Sequence, residues 1–284
     1  MYSKHKNSDK YLSKTETKLF IDLLQKGRTT FTSNDVATIT GLRDGSVNNF
    51  TYLLTKKGLA TRLDSGLYNI VPLDLVDTGN YFENEYLVAK EIVKKKTKSE
   101  SPHYFISHGS AMTIHQMVTQ PFLPTYCTVT SQILNKKILG ADFKFISTKP
   151  ELYFGYQKHW VNNTEQVLVS DLERTIIDGL KSSEYCGGLT EVAKGFWIKR
   201  NEFNYDRLYS YIDKMNVSAI CGRLGFLLET YEINNIFLLE LLKSKINKSY
   251  ALLDPNLPDE GSYISNWKLR LNIGTDELKS IVRT

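Results

Sequence analysis

Between Ser13 and Pro72 the spacing of apolar positions changes repeatedly, and each change predicts an element. TETKLFIDLL places Leu19, Phe20, Leu23 and Leu24 on one side of a helix, at spacings near i, i+3 and i+4. TSNDVATIT opens on Thr32 and Ser33, either of which can cap a short helix carrying Val36 and Ile39 inward. Gly41-Leu42-Arg43-Asp44-Gly45 reads as a tight turn, with glycines where a right-handed backbone has to stop. SVNNFTYLLTKKG predicts a helix over 46–57 that ends at Gly58 and buries Val47, Phe50, Leu53 and Leu54. LATRLDSGLYNIV alternates apolar and polar around Asp64-Ser65-Gly66, the pattern of a hairpin with a short turn. Three helices and a hairpin in this order read as a winged helix-turn-helix.

The helix over 46–57 has a second, polar side. Ser46, Asn48, Asn49, Tyr52, Thr55 and Lys56 share it, and no acid follows Asp44. A solvated helix face is ordinarily rich in Glu and Lys, whereas amides, hydroxyls and a lysine can bond base edges and phosphates. The expectation is that this helix enters a major groove, with Asn48, Asn49 and Tyr52 reading bases and Arg43, Lys56 and Arg62 holding phosphates. Thr32, Ser33, Ser46 and Ser65 complete the expected DNA-binding set. The plainer alternative is a protein-binding module of the same elements, but the order of elements, the turn and the acid-poor face favour DNA.

After Pro72, LDLVDTGN breaks both periodicities and reads as a linker over 73–80. YFENEYLVAKEIVKKK then reads as a helix with Leu87, Val88 and Ile92 inward, followed by Lys94, Lys95, Lys96 and Lys98. Cations suit a helix C-terminus, and the run is also placed to touch a DNA backbone. From His103, short β-rich runs (HYFIS, TYCTVTS, DFKFIS, ELYFGYQKHWV, QVLVS) surround the helix-like GSAMTIHQM. Helical stretches follow (SDLERTIIDGLKSS, LTEVAKGFWIKR, YDRLYSYIDKM, SAICGRLGFLLETY), and SYALLD and NWKLRLN read as strand. The fold class expected is α+β: a basic tail over 1–12, the reader over 13–72, the linker, and a larger mixed α/β domain over 81–284.

Charge sharpens this division. Residues 1–72 hold 11 Lys/Arg against 6 Asp/Glu, and the remainder holds 25 of each, so the whole formal excess of +5 lies in the reader. That suits a polyanionic partner for the first domain only. Cys127, Cys186 and Cys221 are odd in number and contain no C-x-x-C, which argues against a disulfide framework and a Cys-rich zinc site. The basic start lacks an apolar core, IFLLELL over 236–242 is too short to span a bilayer, and a cytoplasmic protein is expected.

Candidate chemistry is sparse. Ser170-Asp171-Leu172-Glu173 has the spacing of a capping box, and Arg174 with Asp178 that of a helix-surface ion pair. These bland roles are preferred to metal-binding or acid–base carboxylates. His108 and His115 lack a third ligand and an H-E-x-x-H context, so hydrogen-bonded core histidines are expected. Glu151 and Lys158 do not make a nuclease motif, His108-Gly109-Ser110 lacks the Asp-x-Asp of a nucleotidyltransferase, and Cys186 has no activating neighbour. No catalytic residue, metal or cofactor is expected.

On these residues the chain resembles the AbiEi family, antitoxins of type IV toxin–antitoxin (abortive-infection) systems. The resemblance rests on YFISHGSAMTIHQM (104–117), VSDLERTIIDGLKSSEYCGG (169–188), CGRLGFLLE (221–229) and LLDPNLPDEGSYISNWKLRLN (252–272), in that order after the reader. It implies a repressor of its own operon that binds inverted repeats in duplex DNA and counters a nucleotidyltransferase-type toxin. It supplies no catalytic residues. The alternatives weighed are a reader fused to a nuclease or nucleotidyltransferase-like enzyme, and a ligand-sensing regulator.

Overall fold

A computed structural model describes residues 12–78 and 81–281; most of the expected basic tail lies outside this range. The chain is an α+β protein that divides into two compact units. The first runs up to Pro102 and includes Lys137–Ala141 and Trp160–Gln166; the second comprises His103–Lys136, Asp142–His159 and the chain from Val167.

The first unit opens with α1 (Lys14–Gln25), β1 (Thr30–Thr32), α2 (Ser33–Thr40) and α3 (Asp44–Lys56). The hairpin strands β2 (Ala60–Asp64) and β3 (Leu67–Ile70) follow, then a 3-10 turn over Leu73–Thr78 and helix α4 (Glu85–Thr97). The three strands form one sheet in the order β1-β3-β2. Leu19, Leu23, Phe31, Val36 and Leu54 are fully buried in its core. Both first helices begin with a reciprocal cap, Ser13 with Glu16 and Thr32 with Asp35, so free N–H groups at each start are satisfied locally. Gly41 closes α2 in the left-handed region (φ +78), which a side chain would disfavour.

Two expected core positions are exposed. Leu24 is 59% accessible and Leu53 39%, because the buried face of each helix is narrower than its apolar stripe. In α3 the inward place is taken by Thr51, whose hydroxyl accepts from Tyr68 on β3. The helix also starts at Asp44, two residues earlier than expected, with Gly45 inside its first turn.

The chain continues with β4 (Tyr104–Ile106), α5 (His108–Ile114) and β5 (Thr125–Val129). Next come β6 (Lys136–Ile138), β7 (Ala141–Ser147), β8 (Tyr156–Trp160) and β9 (Gln166–Ser170). These strands make a sheet ordered β6-β7-β5-β4-β9-β8, with β5 antiparallel to β4 and parallel to β7. The strand expected from Glu151 begins only at Tyr156, since Pro150 opens a 3-10 turn over Pro150–Leu152. Strand β8 is an edge and almost wholly exposed.

Helices α6 (Leu172–Lys181), α7 (Leu189–Lys199), α8 (Tyr205–Met215), α9 (Ser218–Thr230) and α10 (Ile236–Ser244) pack into the larger core. The chain closes with β10 (Ala251–Leu252), β11 (Ser262–Ile264), β12 (Leu269–Leu271) and α11 (Thr275–Ile281). This small sheet, ordered β10-β12-β11, lies against α9 at Gly222 and Gly225. A Cβ on Gly225 would sit 2.0 Å from the Trp267 ring, so the helix meets the indole only where a side chain is missing. Trp267 Nε1 in turn donates to Glu229 at 2.6 Å.

Helix α6 departs from its sequence reading at its start and its middle. Asp171, not Ser170, is the cap, accepting from the Arg174 N–H and the Tyr211 hydroxyl. Ser170 instead bonds Thr175, and Glu173 turns away to accept from the Asn204 N–H and pair with Arg207. Arg174 and Asp178 are buried, not a surface pair. Arg174 Nε donates to Asp178 at 2.9 Å, and Nη1 donates to the Leu152 and Phe154 carbonyls. Its guanidinium also lies over the Phe105 and Phe154 rings. Spacing of i, i+4 is the same on a wet or a dry face, which is why sequence could not tell them apart.

Nearby, His108 is buried with its Nδ1 2.9 Å from Ser107 Oγ and its ring edge-on to Tyr185. Burial pulls its pKa down to about 4.

Two predictions follow from these buried groups. Arg174→Ala strands the Asp178 carboxylate and two carbonyls, and should cost roughly 3–5 kcal/mol in urea unfolding, against a few tenths for an exposed pair. For His108, an unfolded imidazole takes up a proton below about pH 6.5 that the folded one refuses until about pH 4. Stability should therefore fall by about 3 kcal/mol as pH drops across that window, and His108→Gln should flatten this part of the profile in unfolding titrations at successive pH values.

Candidate nucleic-acid interface

The outward side of α3 carries the residues singled out for base contact. Ser46, Asn48, Asn49, Tyr52 and Lys56 are all exposed, Tyr52 at 60%, and Thr55 is half-buried. Leu53 joins them, an apolar group that its place in the periodic stripe concealed. Arg43 precedes the helix as its N-cap residue without a side-chain cap bond, and it is exposed. Arg43 and Lys56 make no ion pair among the described residues. Lys57, by contrast, is held 2.8 Å from the buried Glu16 carboxylate and ties the end of α3 to α1. Burial raises the Glu16 carboxyl, but hydrogen bonds from Lys57 and Ser13 outweigh it and hold the group below its usual range.

A second group gathers where α2, the hairpin and α4 meet. The Ser33 N–H donates to the Gly66 carbonyl at 3.1 Å, which pins the hairpin tip to the start of α2. Thr32, Ser33, Ser65 and Gly66 line a cleft of about 750 Å³ together with Arg28, Lys94, Lys95 and Lys98. None of the α3 residues lines it, so the expected site residues fall into two sets. Thr32 is already engaged: its hydroxyl donates to Asp35 and accepts the Asp35 N–H. Asp35 also receives both Arg28 nitrogens, at 3.0 and 3.1 Å. Desolvation raises its carboxyl, yet the Arg28 and Thr32 hydrogen bonds leave it below the usual carboxylate range.

The lysine run at the end of α4 is compensated in part. Lys94 pairs with Glu100, while Lys95 and Lys96 approach Asp64 of the hairpin at 3.6 and 3.3 Å. Arg62 is exposed, and its Nε donates weakly to the Asp64 carbonyl at 3.4 Å. Sequence reading identified the lysines but not the carboxylate that receives two of them; an acid in a hairpin turn far along the chain gives no local sign of such pairing.

The residues of the second unit weighed for chemistry have other work. His115 Nε2 lies 2.7 Å from the Ser170 carbonyl, Glu173 accepts the Asn204 N–H at the start of α8, and Asp171 caps α6. Glu151 and Lys158 are exposed on separate elements. The three thiols are buried, and burial alone drives Cys127 far above its ordinary pKa. Among the described residues no group of three His, Cys, Asp or Glu is placed to hold a metal, and no helix is long and apolar enough to cross a membrane.

No family model and no curated protein matches the chain. Among solved structures it is similar in fold to the RV2827C protein from Mycobacterium tuberculosis, at 10% sequence identity and a TM-score of 0.72, with 97% of each chain covered. At that identity the likeness is one of fold, over nearly the whole length of both chains.

Proposed function

We propose that the segment from α1 to β3 is a winged helix-turn-helix and that the protein is a DNA-binding transcriptional autorepressor. The observation that carries this reading is the outward side of α3. It presents two amides, two hydroxyls and a lysine to solvent, and after Asp44 it has no acid to repel a phosphate. Its inner side is fixed by Val47, Thr51 and Leu54, so the polar side is displayed on a rigid rod.

On this reading Asn48, Asn49 and Tyr52 read base edges in the major groove, with Leu53 available to a thymine methyl. Arg43 and Lys56 hold phosphates at the two ends of the helix, and Arg62, Ser65 and Ser33 meet the backbone from the hairpin side. Thr32 contributes through the fold of the α2 start, since its hydroxyl is held by Asp35. The resemblance to AbiEi antitoxins adds that the operator is an inverted repeat in the protein's own promoter. It further suggests a role in countering a nucleotidyltransferase-type toxin; the setting proposed is the cytoplasm.

The two classes of contact separate in an operator titration against salt. Lys56→Ala should weaken binding to every sequence and flatten the salt slope by about one unit. Asn49→Ala should keep the slope and lose roughly 1–3 kcal/mol of discrimination at one base pair. Equal, salt-insensitive effects of the two substitutions would reject the assignment, and a footprint absent from the upstream DNA would reject autorepression.

A further inference from the structure

The small sheet at the end of the chain has two unlike faces. Leu269 is buried in the larger core, and Ala251, Ile264 and Leu271 pack against that core. The other face shows aromatic rings and cations. Tyr263 is the cross-strand partner of Arg270, and Tyr250 stands just before Ala251, the partner of Leu269. The Tyr250 and Tyr263 rings are 4.9 Å apart and nearly perpendicular, and they are 42% and 60% exposed. Lys268 Nζ lies 5.0 Å from the Tyr250 ring and the Arg270 guanidinium 5.1 Å from the Tyr263 ring. Arg270 is braced by Asp259 at 2.6 Å and by the Gly261 carbonyl, so the side chain is held in place.

We propose that this face is a stacking platform for single-stranded nucleic acid, with Tyr250 and Tyr263 taking bases and Lys268 and Arg270 meeting the adjoining phosphates. A base offers a flat π-face to a tyrosine and carries a phosphate within reach of a neighbouring cation, and the face repeats that pairing twice. The sheet beneath is fixed by the close approach of α9 at Gly222 and Gly225, so the rings are presented on a rigid support. Lys268, which has no carboxylate partner among the described residues, favours a polyanion over an apolar partner, and Arg270 adds donors held in place by Asp259. In duplex DNA the bases are stacked on one another and their faces are covered, so the platform is of no use there. The proposal is independent of the α3 reading and uses none of its residues.

The test is fluorescence anisotropy with the full chain and labelled dodecamers of uridine RNA and thymidine DNA, beside a mixed-sequence duplex. Tyr250→Ala and Tyr263→Ala should each weaken single-strand binding about ten-fold while leaving duplex binding unchanged. Tyr263→Phe, which keeps the ring, should retain most of the affinity, and unchanged thermal melting of each variant confirms that the fold survives. Lys268→Ala should reduce the salt slope for single strands by about 0.7. The double variant Asn49→Ala, Lys56→Ala should leave single-strand binding intact, which keeps this result separate from the fate of the α3 reading. The proposal is overturned if neither oligonucleotide binds at low salt, if the tyrosine variants bind single strands as the unsubstituted chain does, or if single-strand and duplex binding fall together.

Discussion

The buried guanidinium of Arg174 is the constraint on which the second unit depends. One side chain, 2% exposed, reaches a helix carboxylate, two carbonyls of the segment before β8, and two phenyl rings. A charge removed from water is costly unless it is paired and hydrogen-bonded, and a guanidinium has fixed directions. The chain around it has therefore little freedom. Gly155 must pass close, because a Cβ there would meet Arg174 at 2.9 Å. Helix α6 must present Asp178 one turn on, and β4 must supply Phe105. The exchange of carboxylates at the start of α6 follows the same logic. Asp171 caps its own helix and accepts from Tyr211, which frees Glu173 to accept the Asn204 N–H at the start of α8.

In the first unit the comparable device is distributed. Glu16 holds α1 to the end of α3, Arg28 and Thr32 hold Asp35 at the start of α2, and Ser33 holds the hairpin tip. Several cations and acids of this unit are thus occupied internally, and among the described residues those on the outward side of α3 stand apart by having no such duty. That contrast, more than total charge, is what supports the proposal of an interface on this face.

The elements of this unit were largely legible in sequence because each is decided locally, by apolar period, by a capping residue, or by Gly41 and Gly66 at turns. The width of a buried face is not local. Leu24 and Leu53 belong to their stripes and still reach solvent, while Thr51 goes inside because Tyr68, seventeen positions on, supplies a partner for its hydroxyl. The same limit explains Arg174. Its pairing with Asp178 was readable, but its burial depends on Phe105, Leu152 and Phe154, which only the folded chain assembles. Strand β11 escaped notice for a related reason: three residues between a Pro-rich loop and a turn have no period of their own, and pairing with β12 defines them. For the candidate site, the residues of α3 were readable as chemistry, whereas their separation from the Thr32–Ser65 cleft was not.

Strand β8 has a consequence for the company the protein keeps. Its outer row of peptide groups ends the large sheet, and an open row of that kind invites a foreign strand to continue it. Gln157, Lys158 and His159 lie along this border, so an incoming chain would have to strip water from a lysine to settle there. Lys158 thus guards the middle of this border, while the exposed Tyr156 and Trp160 leave apolar surface at its two ends.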